Sequence, residues 1–243
     1  MRILTHNVYW FQGSPPVWGE EMVKDSPDIV EQLALLYRDA DADVVCLQEV
    51  HRDEPALTIA RALDSASVLR VSGGKLPDYG GAILTRGEAT LRDATRSDTL
   101  VHERVHMRVT VAYRGSPIEI AALHLPSNRY APDKAAGTRA RITELDHALE
   151  VTPRPAIILG DLNSRPNKAV YRHLSSLGYT NAETLSGSGP PPNRIDYVWL
   201  DETIADRLVS FSVLDTGRFR RTRDDGSRFA LSDHPPLLVE LAE

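Results

Sequence analysis

Short apolar runs that break off at a polar residue recur along this chain. Ile157-Ile158-Leu159-Gly160 stops at Asp161-Leu162-Asn163, and Ile3-Leu4-Thr5-His6 runs into Asn7. Val44-Val45-Cys46-Leu47-Gln48 leads to Glu49, and Ile118-Glu119-Ile120-Ala121-Ala122-Leu123 to His124. Runs of this length fit interior strands. A polar group at the carboxyl end of such a strand occupies the place where open α/β sheets put their ligands. Near the C-terminus, Leu231-Ser232-Asp233-His234 precedes one more apolar run.

Helix signals alternate with these strands. Ser26-Pro27 reads as a helix start with proline at the first helical position, and Ile29, Leu33, Leu36 and Tyr37 form its apolar face. A second helix is predicted over 55–63. Strands at 67–71 and 82–85 flank a Gly73-Gly74 turn and a Tyr79-Gly80-Gly81 approach. Val105, Met107, Val109, Val111 and Tyr113 alternate with mostly polar residues, which predicts a half-buried strand. Arg114-Gly115-Ser116-Pro117 turns it into the His124 strand. A helix over 133–149 carries Ile142, Leu145 and Leu149 on one side, and a short helix follows at 170–177. Further strands are predicted at 195–199, 208–214 and 237–241. Strands mixed with crossover helices point to two sheets covered by helices, and the lack of a long linker or repeat to one domain over 1–243.

Composition narrows the class. Hydrophobic residues at 42% leave material for a core, and charged residues at 26% suit a soluble globular protein. Cys46 is the one cysteine, so no internal disulfide can form. No run approaches the ~18 apolar residues of a membrane span. A strand that begins at Arg2 leaves no room for a cleavable signal, so the expected location is cytoplasmic. The formal charge of -6 gives no long-range attraction to nucleic acid, which weakens that class of substrate without removing it. Nothing calls for an obligate protein partner. Hard oxygen ligands and two histidines on one rim suit a magnesium-assisted attack on phosphate.

Taken in order, Asn7, Leu47-Gln48-Glu49, Tyr79-Gly80-Gly81-Ala82, His124-Leu125, Gly160-Asp161-Leu162-Asn163, Arg194-Ile195-Asp196-Tyr197 and Ser232-Asp233-His234 resemble the motifs of the endonuclease/exonuclease/phosphatase superfamily. The resemblance spans nearly the whole chain. It implies a four-layer α/β sandwich, two packed mixed or antiparallel sheets flanked by helices, with the site on one rim. It implies a metal-dependent phosphoester hydrolase acting by direct attack of an activated water. Glu49 would be the main magnesium ligand (manganese being the alternative), with Asn7 beside it and Asp233 near a second metal position. Asp161 would orient or deprotonate the water, and Asn163 would hold a phosphate oxygen. His234 would contact the phosphate and be held by Asp196, while His124 would stabilise the developing charge or help the leaving oxygen. Protonated histidines add hydrogen bonds that strengthen as charge develops.

Each residue alone has a plainer reading. Asn7 can end a strand, Asp161-Leu162-Asn163 can open a helix, and Asp233-His234-Pro235-Pro236 can turn at the surface. His124 can be a core histidine, and Asp196 can pair with Arg194. Trp10, Phe11 and Trp18 are either packing beneath a loop or a stacking wall. His6, His51, His102, His106, His147 and His173 receive no role, His51 standing closest to Glu49. Tyr9 and His124 depart from the apurinic-site endonucleases, and the Arg194-Ile195-Asp196-Tyr197 motif departs from the inositol phosphatases. Gly81 replaces the asparagine of many relatives. Tyr79 and Arg104 are candidate phosphate contacts. The run Arg218-Phe219-Arg220-Arg221-Thr222-Arg223 is expected on a loop leading into the Asp233 motif, where Arg220 and Arg221 would clamp an extra phosphate. A small or lipid-like phosphoester is the leading substrate. A DNA or RNA nuclease, a catalytically silent binding module and metal-free sugar hydrolysis are the alternatives.

Overall fold

Fourteen strands and the helices between them form two six-stranded sheets and a separate hairpin in the computed structural model, which describes residues 1–15, 24–95, 101–113 and 115–242. Pro16, Trp18 and Arg114 lie outside the described residues. The chain opens the first sheet with β1 (Arg2–Asn7), β2 (Val44–Gln48), β3 (Ser67–Val71) and β4 (Gly81–Thr85). It then builds the whole second sheet from β5 (Ala89–Ala94), β6 (His106–Tyr113), β7 (Ser116–His124), β8 (Ile157–Asp161), β9 (Thr180–Asn181) and β10 (Asp196–Leu200). It returns to the first sheet with β11 (Leu208–Val213) and β14 (Leu237–Leu241), and between them makes the hairpin of β12 (Arg220–Thr222) and β13 (Arg228–Ala230). The pairs β1–β2 and β7–β8 are parallel, and the other pairings are antiparallel.

Side chains alternate across each strand, and in the interior strands both faces are covered. Ile3, Val44, Cys46 and Ile83 meet Val109, Ile120, Ile157, Leu159 and Val198 between the sheets. Leu4, Val45, Leu47 and Leu84 face the other way, onto Ile29, Leu33 and Tyr37 of α1 (Pro27–Asp39) and Ile59 of α2 (Asp53–Ala62). Ala121, Leu123, Ile158 and Trp199 pack on Leu145 of α3 (Lys134–Leu149) and on Val170 and Leu174 of α4 (Ala169–Ser176). Burial on two faces is why these strands are apolar at successive positions. The result is the four-layer sandwich. Each fully buried leucine or isoleucine contributes about 1.5–3 kcal/mol to it.

Local signals set the helix starts. The Ser26 hydroxyl accepts the Ile29 N–H at 3.4 Å with Pro27 at the first helical position. Asp133 accepts the Ala136 N–H at 2.7 Å to open α3. The second helix begins at Asp53, two residues before the expected start, because acidic residues suit a first turn and Pro55 needs no N–H there.

Two expectations are corrected. The β6 strand is covered on both faces: His106, Arg108 and Thr110 are buried as well as Met107, Val109 and Val111. Arg108 and Thr110 survive burial by pairing, and His106 stacks on the His102 ring at 4.9 Å. Arg108 Nε donates to Glu119 Oε2 at 3.2 Å, Thr110 Oγ1 donates to the other Glu119 oxygen, and Arg108 Nη2 donates to the Pro153 carbonyl. The arginine-rich run around residue 220 is a hairpin and not a loop. No helix among the described residues is long and apolar enough to cross a membrane.

Candidate active site

The two parallel strand pairs end on the same rim and carry the polar residues there. In the first sheet Asn7 is in register with Gln48, so Glu49 stands one step beyond it. In the second sheet His124 is in register with Asp161, and Asp161 with Asp196 across the antiparallel pair. Gly160 makes the β7–β8 approach feasible: a Cβ there would lie 2.0 Å from the Leu123 carbonyl oxygen, and its φ is +122°.

The chain leaves the rim through left-handed backbone. Glu49 has φ 63°, Asn163 φ 47°, and Tyr9, Trp10 and Phe11 have φ 48°, 49° and 58°. For residues with side chains this conformation costs roughly 1–2 kcal/mol each. Strain of this kind gathers at sites where direction matters more than local ease. Here it turns the side chains inward.

Hydrogen bonds join the two halves. Asn7 Nδ2 donates to Glu49 Oε1 at 3.1 Å and to Asp161 Oδ2 at 3.2 Å, while Asn7 Oδ1 accepts the Tyr9 N–H at 3.0 Å. His124 Nε2 lies 3.2 Å from Asp161 Oδ2 and 3.9 Å from Glu49 Oε1. Asp161 Oδ1 accepts the Asn163 N–H at 2.9 Å, and Asn163 Nδ2 donates to the Leu125 carbonyl at 3.0 Å, leaving its second amide hydrogen. His234 Nδ1 donates to Asp196 Oδ2 at 2.8 Å, and His234 Nε2 is 3.9 Å from Asp233 Oδ1. Asp161, Asp196 and His234 each offer an atom within 4.8 Å of the other two. Arg194 pairs instead with Glu183 at 3.0 Å, so Asp196 serves the histidine.

Arg104 and Tyr79 complete the wall. Arg104 donates from Nη1 to His124 Nε2 and from Nη2 to Ser127 Oγ at 3.0 Å, and its guanidinium carbon sits 4.3 Å from the Tyr79 ring centre. The Tyr79 hydroxyl is 3.0 Å from that of Tyr130. Trp10 donates to the Asp78 carbonyl at 2.9 Å and packs against Tyr79 at 4.9 Å, whereas Phe11 is core.

Burial sets the charges. It raises Glu49 to about 7 and also raises Asp196 and Asp233. Burial opposes ionisation of Asp161 too, but His124, His234 and the Asn163 N–H reverse this and hold it well below the carboxylate range. Burial works against a charged His234, yet Asp196, Asp161 and Asp233 lift it well above its ordinary value. Burial and then Arg104 push His124 down to about 4, leaving it neutral at pH 7. Only one of the two imidazoles carries charge.

A divalent cation fits this arrangement at Glu49. Its Oε2 is buried without any partner, an oxygen that costs free energy unless a cation meets it. Asp233 adds a hard carboxylate oxygen of the kind magnesium prefers, while Asn7 presents Nδ2 to Glu49 and would offer its oxygen there only with the amide turned over. The Asp161–Asp196–His234 group is ion-paired internally, with one imidazolium between two carboxylates.

Ten predicted residues thus meet: Asn7, Glu49, Tyr79, Arg104, His124, Asp161, Asn163, Asp196, Asp233 and His234. Arg220 and Arg221 stand outside this network. Arg220 grips Asp215 with bonds of 2.6 and 3.0 Å, and Arg221 donates to Gln32 Oε1 at 3.0 Å. His51 turns to Asp25 at 3.2 Å. His6 is the residue that sequence reasoning passed over. Burial holds it neutral, near 3; its Nε2 donates to the His234 carbonyl at 2.7 Å, and the Tyr37 hydroxyl donates to its Nδ1 at 2.5 Å. It ties the Asp233-His234 segment to β1 and α1. Its place directly before Asn7 was the only signal.

A model of the endonuclease/exonuclease/phosphatase family matches residues 4–234. No curated protein sequence matches the chain. Among solved structures, a mannosyl-6-phosphatase from Bacteroides thetaiotaomicron is similar over 100% of both chains, with 17% identity and a TM-score of 0.72. Sphingomyelinase C from Streptomyces griseocarneus has 19% identity and a TM-score of 0.69, covering 100% of this chain and 99% of the other. Truncated TDP2 from Caenorhabditis elegans has 16% identity and a TM-score of 0.68, covering 100% and 97%. At such identities the likeness is one of fold.

Proposed function

The chain belongs to the endonuclease/exonuclease/phosphatase family, and on that premise we propose that it is a divalent-cation-dependent hydrolase of a small phosphoester. One observation carries this reading. Two parallel strand pairs from different sheets bring Asn7, Glu49, His124 and Asp161 into contact, with one buried carboxylate oxygen left without a partner. The mannosyl-6-phosphatase and sphingomyelinase among its structural neighbours are in keeping with that chemistry.

Glu49, with Asn7 and Asp233, would hold magnesium or manganese, which would supply positive charge against the phosphate oxygens. Asp161 is ionised and accepts hydrogen bonds, so it orients the attacking water; so weak a base does little to deprotonate it beforehand. His234 is the charged donor, and Asp196 fixes its Nδ1 proton so that Nε2 faces the substrate. Arg104, through neutral His124, adds positive charge where negative charge develops. Asn163 offers its free amide hydrogen to a phosphate oxygen. Water adds to phosphorus, the phosphorus–oxygen ester bond breaks, and the alcohol leaves with one proton.

The test is a phosphoester panel run with magnesium and with chelator. Hydrolysis should require the metal, and Asp161→Asn and His234→Ala should each abolish it with unchanged circular dichroism. Near-normal turnover in both variants refutes the assignment. Nicking of supercoiled plasmid in preference to small esters would favour a nuclease instead.

A further inference from the structure

We propose that the cleft beside His234 is the subsite for the alcohol part of the ester and is built for a neutral polyhydroxylated group, a sugar or a cyclitol. The inference rests on the hydrolase reading above. The cleft has a volume of about 360 Å³, and Asp196, Asp233 and His234 form its inner end. His234 and Asp233 line it while Asn7, Glu49, His124 and Asp161 do not, so the reacting phosphate would sit at that end and the group attached to it would lie farther along the cleft. Ligand pockets of roughly 300–1,000 Å³ hold single small molecules. This one suits a single ring.

Its lining has two characters. Ile195 and Val213 give apolar surface, which matches the C–H face of a pyranose or cyclitol ring. Asn193, Asp215 and Asp233 give acceptors and one amide, which match hydroxyl groups. Carboxylate–hydroxyl bonds have an ionised partner and are among the stronger neutral-ligand contacts.

Charge excludes the other occupants. The arginines at this end are already neutralised, Arg194 by Glu183 at 3.0 Å and Arg220 by the two-point contact with Asp215. The His234 cation belongs to Asp196. Asp215 is neutralised by that contact with Arg220, and the remaining charged donor in the lining, His234, is taken by the reacting phosphate. A second phosphate would therefore meet Asp233 with no uncommitted cation among the described lining residues, which disfavours a continuing nucleic-acid strand. A quaternary ammonium such as choline would find the negative charge, but recognition of such groups relies on aromatic faces. No aromatic side chain lines the cleft among the described residues.

The test compares kcat/KM of the magnesium-loaded protein on hexose phosphates and inositol monophosphate with p-nitrophenyl phosphate, phosphocholine and a dinucleotide. The polyol phosphates should lead. Asn193→Ala should raise KM for the best of them about tenfold, the usual weight of one hydrogen bond to a small ligand, and that for p-nitrophenyl phosphate, which has no hydroxyl to offer, by clearly less. Asp215→Asn removes a charged acceptor from the lining, so it should weaken the hexose monophosphates as well. Preference for phosphocholine or the dinucleotide, or indifference of every substrate to both substitutions, overturns the proposal. If no ester is hydrolysed, p-nitrophenyl phosphate included, the hydrolase reading fails separately. Calorimetric binding of the polyol phosphates to Asp161→Asn then decides the subsite: binding weakened by adding Asn193→Ala supports it, and binding unchanged or absent rejects it.

Discussion

Replacing Glu49 by glutamine should make the metal-free protein more stable while ending its activity. Burial lifts the Glu49 carboxyl from 4.5 to about 7, and its side chain is only 8% exposed. That displacement corresponds to about 3 kcal/mol against the ionised form. The folded state holds the proton more tightly than the unfolded chain does. Its contribution is therefore fully present below pH 4.5 and lost as pH rises through about 7. Glutamine never ionises, accepts the same Asn7 hydrogen bond, and puts an orphaned amide where an orphaned oxygen stood. At pH 8 with chelator, Glu49→Gln should exceed the natural protein by about 3 kcal/mol, or roughly 6–12 °C in Tm for a chain of this size. The gap should close towards pH 4.5. Added magnesium should raise the Tm of the natural protein and not of the variant. Thermal melts across pH, with and without metal, measure all of this. A variant that melts at or below the natural protein at pH 8 in chelator, or a gap that ignores pH, refutes the account of Glu49 as an uncompensated buried charge.

Two further outcomes follow from contacts at the rim. Tyr37→Phe leaves His6 Nδ1 buried without a donor and should cost about 1–3 kcal/mol in chemical denaturation, with kcat falling more than KM rises because the His234 segment loosens. Equal stability would show that the His6 relay is incidental. Gly160→Ala forces a Cβ to 2.0 Å from the Leu123 oxygen at φ +122°, so about 2–6 kcal/mol should be lost, and near-normal melting would contradict the tight β7–β8 approach.

The strand ends were legible because an apolar run that stops at a carboxylate is a local pattern. Ile157-Ile158-Leu159 before Gly160-Asp161 needs no partner to be recognised, and Ser26-Pro27 marks a helix start by its own chemistry. Elements held mainly by distant partners were not legible. The β5 strand lies on a sheet edge with Leu91 40% exposed, so it has no apolar run to show. The first strand of the Arg220 hairpin is polar along its length, and the hairpin is anchored in the core through Phe219, Phe229 and Ala230. The buried face of β6 looked solvent-exposed because His106, Arg108 and Thr110 are polar; Glu119 and the Pro153 carbonyl make Arg108 and Thr110 tolerable there, and His106 stacks on His102 with burial holding it uncharged. His6 was invisible for a stronger reason: its partner carbonyl is 228 positions away.

Charge at the site was the least legible feature, and it bears most directly on mechanism. The sequence contains two histidines of equal standing at the rim, yet the fold separates them. His124 lies at the end of an interior strand beside a guanidinium, so burial and a like charge both oppose its proton. His234 comes after the last loop, next to three carboxylates that outweigh its burial. The left-handed turns at Glu49 and Asn163 belong to the same logic: at a cost of roughly 1–2 kcal/mol each, the first brings Glu49 to 3.9 Å from His124 of the other sheet and the second lets Asn163 reach the Leu125 carbonyl. A site assembled from both sheets is as rigid as the core between them. Bound phosphoester and cation would in turn press Asn7 and Glu49 of one sheet onto His124 and Asp161 of the other, so ligand binding and sheet packing should stabilise each other.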